Sequence, residues 1–299
     1  MDMRRGMGAG LCAGAVMLLG ACATQRLDQF STFAEAGDAY GRAMTGLVDE
    51  AAGAAIDADS AALILGRAAW DPAERRRRYL QHTRVLTGYL DALAALRRQA
   101  HLLQSYFAAL ARLARSDAPA GIAQEAEAVF QRLQALHPRL QDARIKDTPV
   151  KKLIRPAVTL AVAQFQHAAL ERELRRRAPA LERALELQRA ALALVAGGLA
   201  ADLEFLHQQR RFTEVAAVYA GGRRLPAKWR RTRRELLQAR LLSASAQEAA
   251  RAAETLKTTF TALVENKVRP QDFERLFADI HALLDLVERL AAGAPRKAG

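Results

Sequence analysis

The six histidines are the first residues to consider, because histidine is the commonest metal ligand and a frequent acid–base group. Helical carboxylate-bridged metal sites need a Glu three residues before a His on each of two helices, with further Glu side chains facing them. Glu204 and His207 have this spacing, and no other histidine in the sequence does. One such unit supplies only half of a site. The histidines therefore predict no metal, no other cofactor and no catalytic residue.

Asp57 and Asp59 belong to a second motif that could do chemistry, Asp57-Ala58-Asp59-Ser60. Asp-based metal sites of this kind lie on loops or at strand ends, whereas this motif lies in a stretch with helical spacing of apolar residues. We predict a solvated or capping role for it. The sequence also lacks a serine nucleophile elbow and a glycine-rich phosphate loop. We therefore predict that the protein is not an enzyme, with a site assembled across several helices as an alternative.

Clustered positive charge is the most informative feature of the sequence. The chain has 45 Lys and Arg residues against 32 Asp and Glu residues, a formal net charge of +13. Each basic run begins a predicted helix, where the helix dipole already places partial positive charge. Because such departures from a local rule often mark function, we predict an anion-binding surface, with a solvated face of an Arg-rich protein as the alternative. The candidate residues are Arg75, Arg76, Arg77 and Arg78; Lys151, Lys152 and Arg155; and Lys228, Trp229, Arg230, Arg231, Arg233 and Arg234.

The elements that carry these residues are predicted to be helices. Apolar residues recur at steps of three and four, and no Asn-Gly or Asp-Gly hairpin signal occurs in the 299 residues. The chain has too few Gly, Pro and Cys residues for a collagen-like or disulfide-based protein, and its apolar content excludes a disordered one. We predict an all-α protein, an elongated antiparallel bundle of about six to seven helices, several of them about 40 residues long.

The bounds of these helices follow from caps, prolines and glycines. Residues 139–149 are predicted to form a loop, Gly197-Gly198 to mark a bend, and Gly221-Gly222 to stop a helix. The predicted helices are 27–69; Pro72 to about 115, capped by Asp71; a shorter one from Ile122, closed by His137-Pro138; 150–177; Pro179 to Ala220; 226–266; and a last one beyond Pro270.

In a simple up-and-down bundle of these helices, the three basic runs meet at one pole. The stretches 67–78, 139–155 and 221–235 then carry together a formal charge of +13, as much as the whole chain, whereas the opposite pole is nearly neutral. We therefore predict a cationic tip. It suits an anionic lipid, a cell-wall polymer or an acidic protein, and nucleic acid is the least expected partner.

The N-terminal segment has the features of an export signal. Arg4 and Arg5 precede an uncharged, partly apolar stretch that ends in Leu19-Gly20-Ala21-Cys22. This ending resembles the lipobox of bacterial lipoproteins. The resemblance implies cleavage before Cys22, a thioether-linked lipid and a fatty acyl chain such as palmitate on Cys22, and stable attachment to a membrane. An uncleaved membrane anchor over residues 6–25 is the alternative.

The same resemblance implies a location and a domain organisation. Ala23, not Asp, follows Cys22, which favours the periplasmic face of the outer membrane over the inner membrane. The expected parts are a signal peptide at 1–21, one helical-bundle domain at 22–292 and a flexible tail at 293–299. We predict a non-enzymatic envelope tether or adaptor with its basic tip far from the lipid. The alternatives are a helical module that binds a lipid or metal inside the bundle, and an unrecognised enzyme.

Overall fold

The computed structural model describes residues 11–116, 119–157, 160–163, 168–221, 224–234, 236–237 and 247–293, with side chains from residue 28 onwards. These residues are almost entirely helical, which confirms the predicted all-α bundle. The elements are α1 (Leu11–Gly66), a 3-10 turn (Arg67–Ala69), α2 (Pro72–Arg115), α3 (Pro119–Asp142), β1 (Arg144–Ile145), β2 (Thr148–Pro149), a second 3-10 turn (Val150–Leu153), α4 (Ala168–Arg210), α5 (Glu248–Val264) and α6 (Pro270–Gly293).

Helices α1 and α2 form a long antiparallel hairpin, as their ion pairs show. Asp28 lies 3.4 Å from Arg115, and Asp59 lies 2.7 Å from His82. The 44 residues of α2 make a rod about 66 Å long at about 1.5 Å per residue. We call the end with Asp28 and Arg115 the proximal end. The opposite end, where α1 turns into α2, is the distal end.

The turn between α1 and α2 confirms the predicted cap. Asp71 accepts a hydrogen bond from the backbone N–H of Glu74 at 2.9 Å, and Pro72 is the first residue of α2. The cap satisfies an N–H group that has no partner inside the helix. Gly66 ends α1 directly against the Trp70 ring, and the ring leaves no room for a Cβ atom there.

Helix α4 runs through the middle of the bundle, parallel to α1. Tyr106, near the end of α2, donates a hydrogen bond to Glu173, near the start of α4, at 2.8 Å. Earlier in α2, Gln99 donates to the backbone carbonyl of Ala184 at 3.1 Å. Residue numbers therefore decrease along α2 in the direction in which they increase along α4, so the two helices are antiparallel. The start of α4 therefore lies at the proximal end.

The helix α3 points in the same direction as α4, so the bundle is not a simple up-and-down one. Arg112 pairs with Glu125 at 2.6 Å, and the Tyr106 and Phe130 rings lie 6.0 Å apart. These contacts make α3 antiparallel to α2, as α4 is. The chain must consequently return along the bundle between α3 and α4.

The predicted helix over 150–177 is wrong in its first half. Residues 154–157 and 160–163 are not helical, and α4 begins at Ala168. The prolines at 149 and 156 explain the difference, because each lacks a backbone N–H and restricts the residue before it. The non-helical chain returns to the proximal end, where the N–H of Ala163 donates to the carbonyl of Val264 at 3.1 Å.

Two further prolines were predicted to interrupt helices and do not. The helix α3 continues through Pro138 to Asp142, and α4 runs unbroken through Pro179. The predicted fourth and fifth helices are therefore one. This helix passes through both glycines at 197 and 198, widens into a π-helical stretch at Arg211–Ala216 and ends at Ala220, where the predicted stop is confirmed.

Part of the predicted organisation lies outside the described residues. This holds for Arg4 and Arg5 of the signal peptide, for residues 294–299 of the tail, and for residues 238–246 of the predicted helix over 226–266. Within that helix, 229–234, 236–237 and Glu248–Val264 are helical. Cys22 lies within α1, and its side chain is outside the described part.

The core is most tightly packed towards the proximal end, where α1 contacts α2, α4, α5 and α6. Phe33, Phe107 and Phe260 come from three helices and lie with ring centroids between 4.9 and 6.0 Å apart. All three are buried. The proximal half is thus a closed multi-helix core, from which the α1–α2 hairpin continues towards the distal end.

Candidate functional site

The first basic run lies on the first turns of α2, at the distal end. Arg75, Arg76, Arg77 and Arg78 are all exposed. Glu74 forms ion pairs with Arg77 and, at 2.6 Å, with Arg78. A carboxylate in the first turn is favoured by the helix dipole, and it offsets part of the repulsion among the arginines. The four arginines therefore lie at the distal end, next to the acidic first turn of α2.

Exposed apolar side chains accompany these arginines. Ile64 is 70% exposed, Tyr79 58% and Leu80 55%. The guanidinium group of Arg78 lies 5.5 Å from the centre of the Trp70 ring, a cation–π arrangement. We call residues 64–80, which contain these side chains and the four arginines, the distal tip. Its surface is both cationic and apolar.

The last basic run forms a separate cluster that follows the end of α4. Trp229 donates from Nε1 to the backbone carbonyl of Val215 at 3.1 Å and stacks on Tyr219 with ring centroids 5.8 Å apart. These contacts fold the chain beyond Gly221 back against the π-helical stretch. Phe212 and Tyr219 are about as exposed as Ile64. The exposed basic residues beside them are Lys228, Arg230, Arg231, Arg233 and Arg234.

The middle basic run lies on the flank of the bundle, away from the distal tip. The backbone N–H of Arg155 donates to Glu186 of α4 at 2.8 Å, and its guanidinium group pairs with Glu254 of α5 at 3.0 Å. Lys151 and Lys152 belong to the 3-10 turn just before it and are exposed. The prediction that all three runs meet at one pole is therefore wrong for this run, because it returns along α4 and does not begin a helix.

Exposure of large apolar side chains is strongly asymmetric. In the part of the chain that the structure describes, the exposed ones lie in the distal half of the α1–α2 hairpin or in the chain beyond Asp202 of α4. At the proximal end, by contrast, Phe30, Phe33, Phe107 and Phe260 are buried. The exposed set is Ile56, Ile64, Leu65, Tyr79, Leu80, Val85, Phe212, Tyr219, Leu225 and Leu237.

A cleft of about 620 Å³ opens below the distal tip, between α1, α2, α4 and the β-hairpin. Ala58 of α1, Val85 of α2 and Phe205 of α4 contribute to apolar walls, and Arg144 and Lys146 of the hairpin lie at its rim. The volume falls within the range of small-molecule sites. The predicted alternative of a ligand-binding module thus has a physical location.

Charged side chains are also buried between α4 and α5. The Nζ atom of Lys257 lies 2.6 Å from Glu186 and 3.2 Å from Glu182, and Arg189 lies 2.6 Å from Glu186. Burial by itself raises the pKa of Glu186, but hydrogen bonds from Arg189, Lys257 and the backbone of Arg155 bring it down to about 2. Lys257 and Arg189 each face a carboxylate, so the cluster joins two helices. Neither oxygen of the buried Glu182 has a hydrogen-bond partner among the described residues.

Glu204 and Asp59, from the two motifs singled out for chemistry, have hydrogen-bond partners, whereas Nδ1 of His207 is buried without one among the described residues. Glu204 accepts a hydrogen bond from Gln208 at 2.9 Å, and burial lowers the pKa of His207. Asp57 is exposed as predicted, whereas Asp59 is not simply solvated, because it reaches across the hairpin to His82. No group of three or more His, Cys, Asp and Glu side chains that could hold a metal converges within the described ranges.

The β-hairpin, and the contact that it makes with α4, were not predicted from the sequence. Lys146 and Asp147 form its two-residue turn with φ of 47° and 65°. Such turns usually contain Gly or Asn, which accept positive φ at low cost. Lys146 donates to Asp202 of α4 at 2.6 Å. The strands could not be recognised from the sequence, because each has only two residues.

One described helix is apolar and long enough to cross a bilayer, by length and composition: the continuous helix Ala168–Ala220. Its position at the centre of the bundle accounts for that composition, because α4 packs against α1, α2, α3 and α5. No family model matches the chain, and neither a curated protein nor a solved structure shows significant similarity to it.

Proposed function

We propose that this protein is a non-enzymatic, lipid-anchored envelope protein that tethers two surfaces. Acyl chains on Cys22 hold it on the periplasmic face of the outer membrane, and the distal tip binds an anionic lipid surface. One observation carries the proposal: exposed apolar side chains and arginines coincide at residues 64–80, at the opposite end of α1 from Cys22. Cleavage before Cys22 leaves the acylated residue in the continuous helix that leads to the tip.

The length of α1 makes it a suitable spacer. The helix is continuous from Cys22 to Gly66, a rise of about 66 Å at about 1.5 Å per residue. A helix of this length, accompanied by α2 from Gly66 back to Asp28, separates the two attachment points by more than one bilayer thickness. The same molecule is therefore able to contact two surfaces at once.

The apolar side chains favour a lipid surface over the other anionic partners. Each arginine near an anionic bilayer contributes about 1 kcal/mol of attraction. Trp70 and Tyr79 suit the boundary between head groups and acyl chains, and Ile64 and Leu80 add apolar contact below it. A polysaccharide or a nucleic acid offers negative charge but no apolar layer for these side chains.

A vesicle-capture assay tests the proposal. The lipidated protein is placed in neutral phosphatidylcholine vesicles, and capture of fluorescent phosphatidylglycerol vesicles is measured. We expect capture that weakens with salt, because exposed charges are screened. The variant Arg75→Gln/Arg76→Gln/Arg77→Gln should lower capture about 100-fold, since three arginines contribute about 3 kcal/mol.

The flank variant Lys151→Gln/Lys152→Gln/Arg155→Gln is the matched control, because it removes the same charge away from the distal tip. A second variant, Tyr79→Ser/Leu80→Ser, removes apolar contact and keeps every arginine. If capture persists in the serine variant, the distal tip recognises charge alone, and the argument that prefers a lipid surface to a polymer or an acidic protein is lost. Equal losses in the arginine and flank variants, or an absence of capture, would contradict the tethering role.

A further inference from the structure

The cleft below the distal tip contains two polar atoms that lack hydrogen-bond partners among the described residues. They are the hydroxyl of Tyr89 and the Oδ2 atom of Asp202. Tyr89 is 5% exposed and Asp202 7%, and both residues line the cleft. Unpaired polar atoms shielded from water are rare in folded proteins and cost free energy. Two such atoms beside one largely apolar cleft indicate a ligand-binding site in which the ligand supplies the missing hydrogen bonds.

The Lys146 side chain lies against both residues. Its Nζ atom is 2.6 Å from Oδ1 of Asp202 and 5.6 Å from the centre of the Tyr89 ring. It also packs on Gly198 so closely that a Cβ atom there would lie 3.0 Å from Cγ of Lys146. The Lys146 side chain is 42% exposed, so its methylene groups are able to shift by rotamer changes while the ion pair with Asp202 persists.

Lys146 lies beside Tyr89 and Asp202 in an unfavourable backbone conformation. Positive φ is unfavourable for Lys146 and persists only where the surroundings impose it, whereas Asp147 is of a residue type that accepts this conformation. Such conformations cluster at ligand clamps and active sites. The strained turn and the unpaired atoms are separate observations that point to the same cleft.

The chemistry of the two atoms defines the ligand. The carboxylate oxygen of Asp202 accepts a hydrogen bond, while the Tyr89 hydroxyl is able to donate one. A hydroxyl group does both at once. The cleft is lined by three cations and three carboxylates, so it has no net charge that would favour an ionic ligand; they are Arg84, Arg144, Lys146, Asp59, Asp147 and Asp202. An added ammonium group would compete with Lys146 for Asp202, and a carboxylate would be repelled by Asp202. The surrounding walls, to which Ala58, Ala62 and Phe205 contribute, are apolar.

We propose that this cleft binds a neutral amphiphile that carries a hydroxyl group. The hydroxyl donates to Oδ2 of Asp202, the oxygen that Lys146 leaves free, and accepts from Tyr89, while Lys146 keeps its ion pair with Oδ1. The apolar body lies along the walls formed by α1, α2 and α4. This site is independent of lipid binding by the distal tip, because it uses none of residues 64–80.

Calorimetric titration of the full chain with three eight-carbon probes tests the proposal. We expect octan-1-ol to bind and octanoate and octylammonium to bind more weakly. Tyr89→Phe should weaken octan-1-ol binding about fivefold, the effect of one neutral hydrogen bond. The same change should leave the melting temperature equal or higher, because it removes a buried hydroxyl that has no partner. Ala62→Leu should weaken all three probes by filling the cleft.

Tyr40→Phe is the matched control. The Tyr40 hydroxyl is also buried without a partner, and Tyr40 does not line the cleft. Its removal should leave octan-1-ol binding unchanged. Absence of octan-1-ol binding, equal binding to Tyr89→Phe, or tighter binding of either charged probe would overturn the proposal.

Discussion

At the scale of single residues, Glu186 joins the most charge-rich part of the core. Three residues donate hydrogen bonds to its carboxylate, two of them through charged side chains from α4 and α5. Removing one member of such a cluster leaves the others buried without full compensation. We expect Glu186→Gln to lower the free energy of unfolding by about 3 kcal/mol, measured by chemical denaturation at pH 7.

The same substitution has a defined pH signature. The pKa of Glu186 falls from an ordinary 4.5 to about 2 in the folded protein. Its ionised form therefore stabilises the fold fully above pH 4.5, and this contribution is lost as the pH falls towards 2. Glu186→Gln should flatten the decline of stability in that window. The exposed Glu288 provides the control, since Glu288→Gln should keep the native slope; an identical slope in both variants would contradict the prediction.

Local chemistry could be predicted at this scale, and long-range pairing could not. The Asp71 cap was identified because its hydrogen bond joins residues three apart in sequence. The partner of Asp59 is His82, and the partner of Lys146 is Asp202. No spacing rule connects these residues, because the fold alone brings them together.

At the scale of elements, prolines were the main source of error. Pro179 lies inside α4 although it removes a hydrogen bond, a change that costs about 3 kcal/mol in an isolated helix. Ala178 and Leu181 on either side are buried, so packing compensates for the loss. Near Pro156 the balance is reversed, since the extended chain supplies a backbone N–H to the buried Glu186. Sequence periodicity could not distinguish these two cases.

Two glycines of α1 provide an element-scale test of helix packing. A Cβ atom on Gly46 would collide with Val287 of α6, whereas one on Gly53 would meet nothing within 4 Å. We expect Gly46→Ala to destabilise the protein by about 1–3 kcal/mol through forced separation of the helices. Gly53→Ala should stabilise it by about 0.5–1 kcal/mol through helix propensity.

Thermal denaturation followed by circular dichroism measures both changes. The two substitutions are chemically identical and lie in the same helix, so their difference isolates the contact with α6. If Gly46→Ala proves as stable as Gly53→Ala, α1 and α6 do not approach each other as closely as described.

At the scale of the whole molecule, charge and exposed apolar surface were only partly predictable. The basic run at Arg75–Arg78 lies at the distal end as expected, because the α1–α2 hairpin follows from two long periodic stretches and one cap. The run at Lys151–Arg155 lies on the flank, because α3 and α4 point the same way. The cleft combines residues from three helices and a hairpin, so it could not be predicted from any single segment of the sequence.

The proposed membrane attachment through Cys22 is a whole-molecule hypothesis that a single substitution tests. We expect Cys22→Ser to abolish incorporation of a palmitate analogue and to prevent stable recovery with the membrane after an alkaline wash, since acyl chains supply the anchor. Metabolic labelling and fractionation measure the two effects. Cys12→Ser is the control, because Cys12 lies in the expected signal peptide. Retention of label and membrane attachment in Cys22→Ser would contradict the lipobox interpretation.

The contacts of α1 with both C-terminal helices, α5 and α6, also determine the order in which the protein is able to fold. A ribosome releases α1 first and α6 last, yet Phe33 of α1 packs on Phe260 of α5 at 5.8 Å, and Gly46 faces Val287 of α6. The α1–α2 hairpin needs only neighbouring segments and forms early, whereas the proximal core waits for the C-terminus. The proximal end, closest in sequence to Cys22, is therefore the last to close: Phe33 meets Phe107 as soon as the hairpin forms, but it meets Phe260 only after α5 has been synthesised.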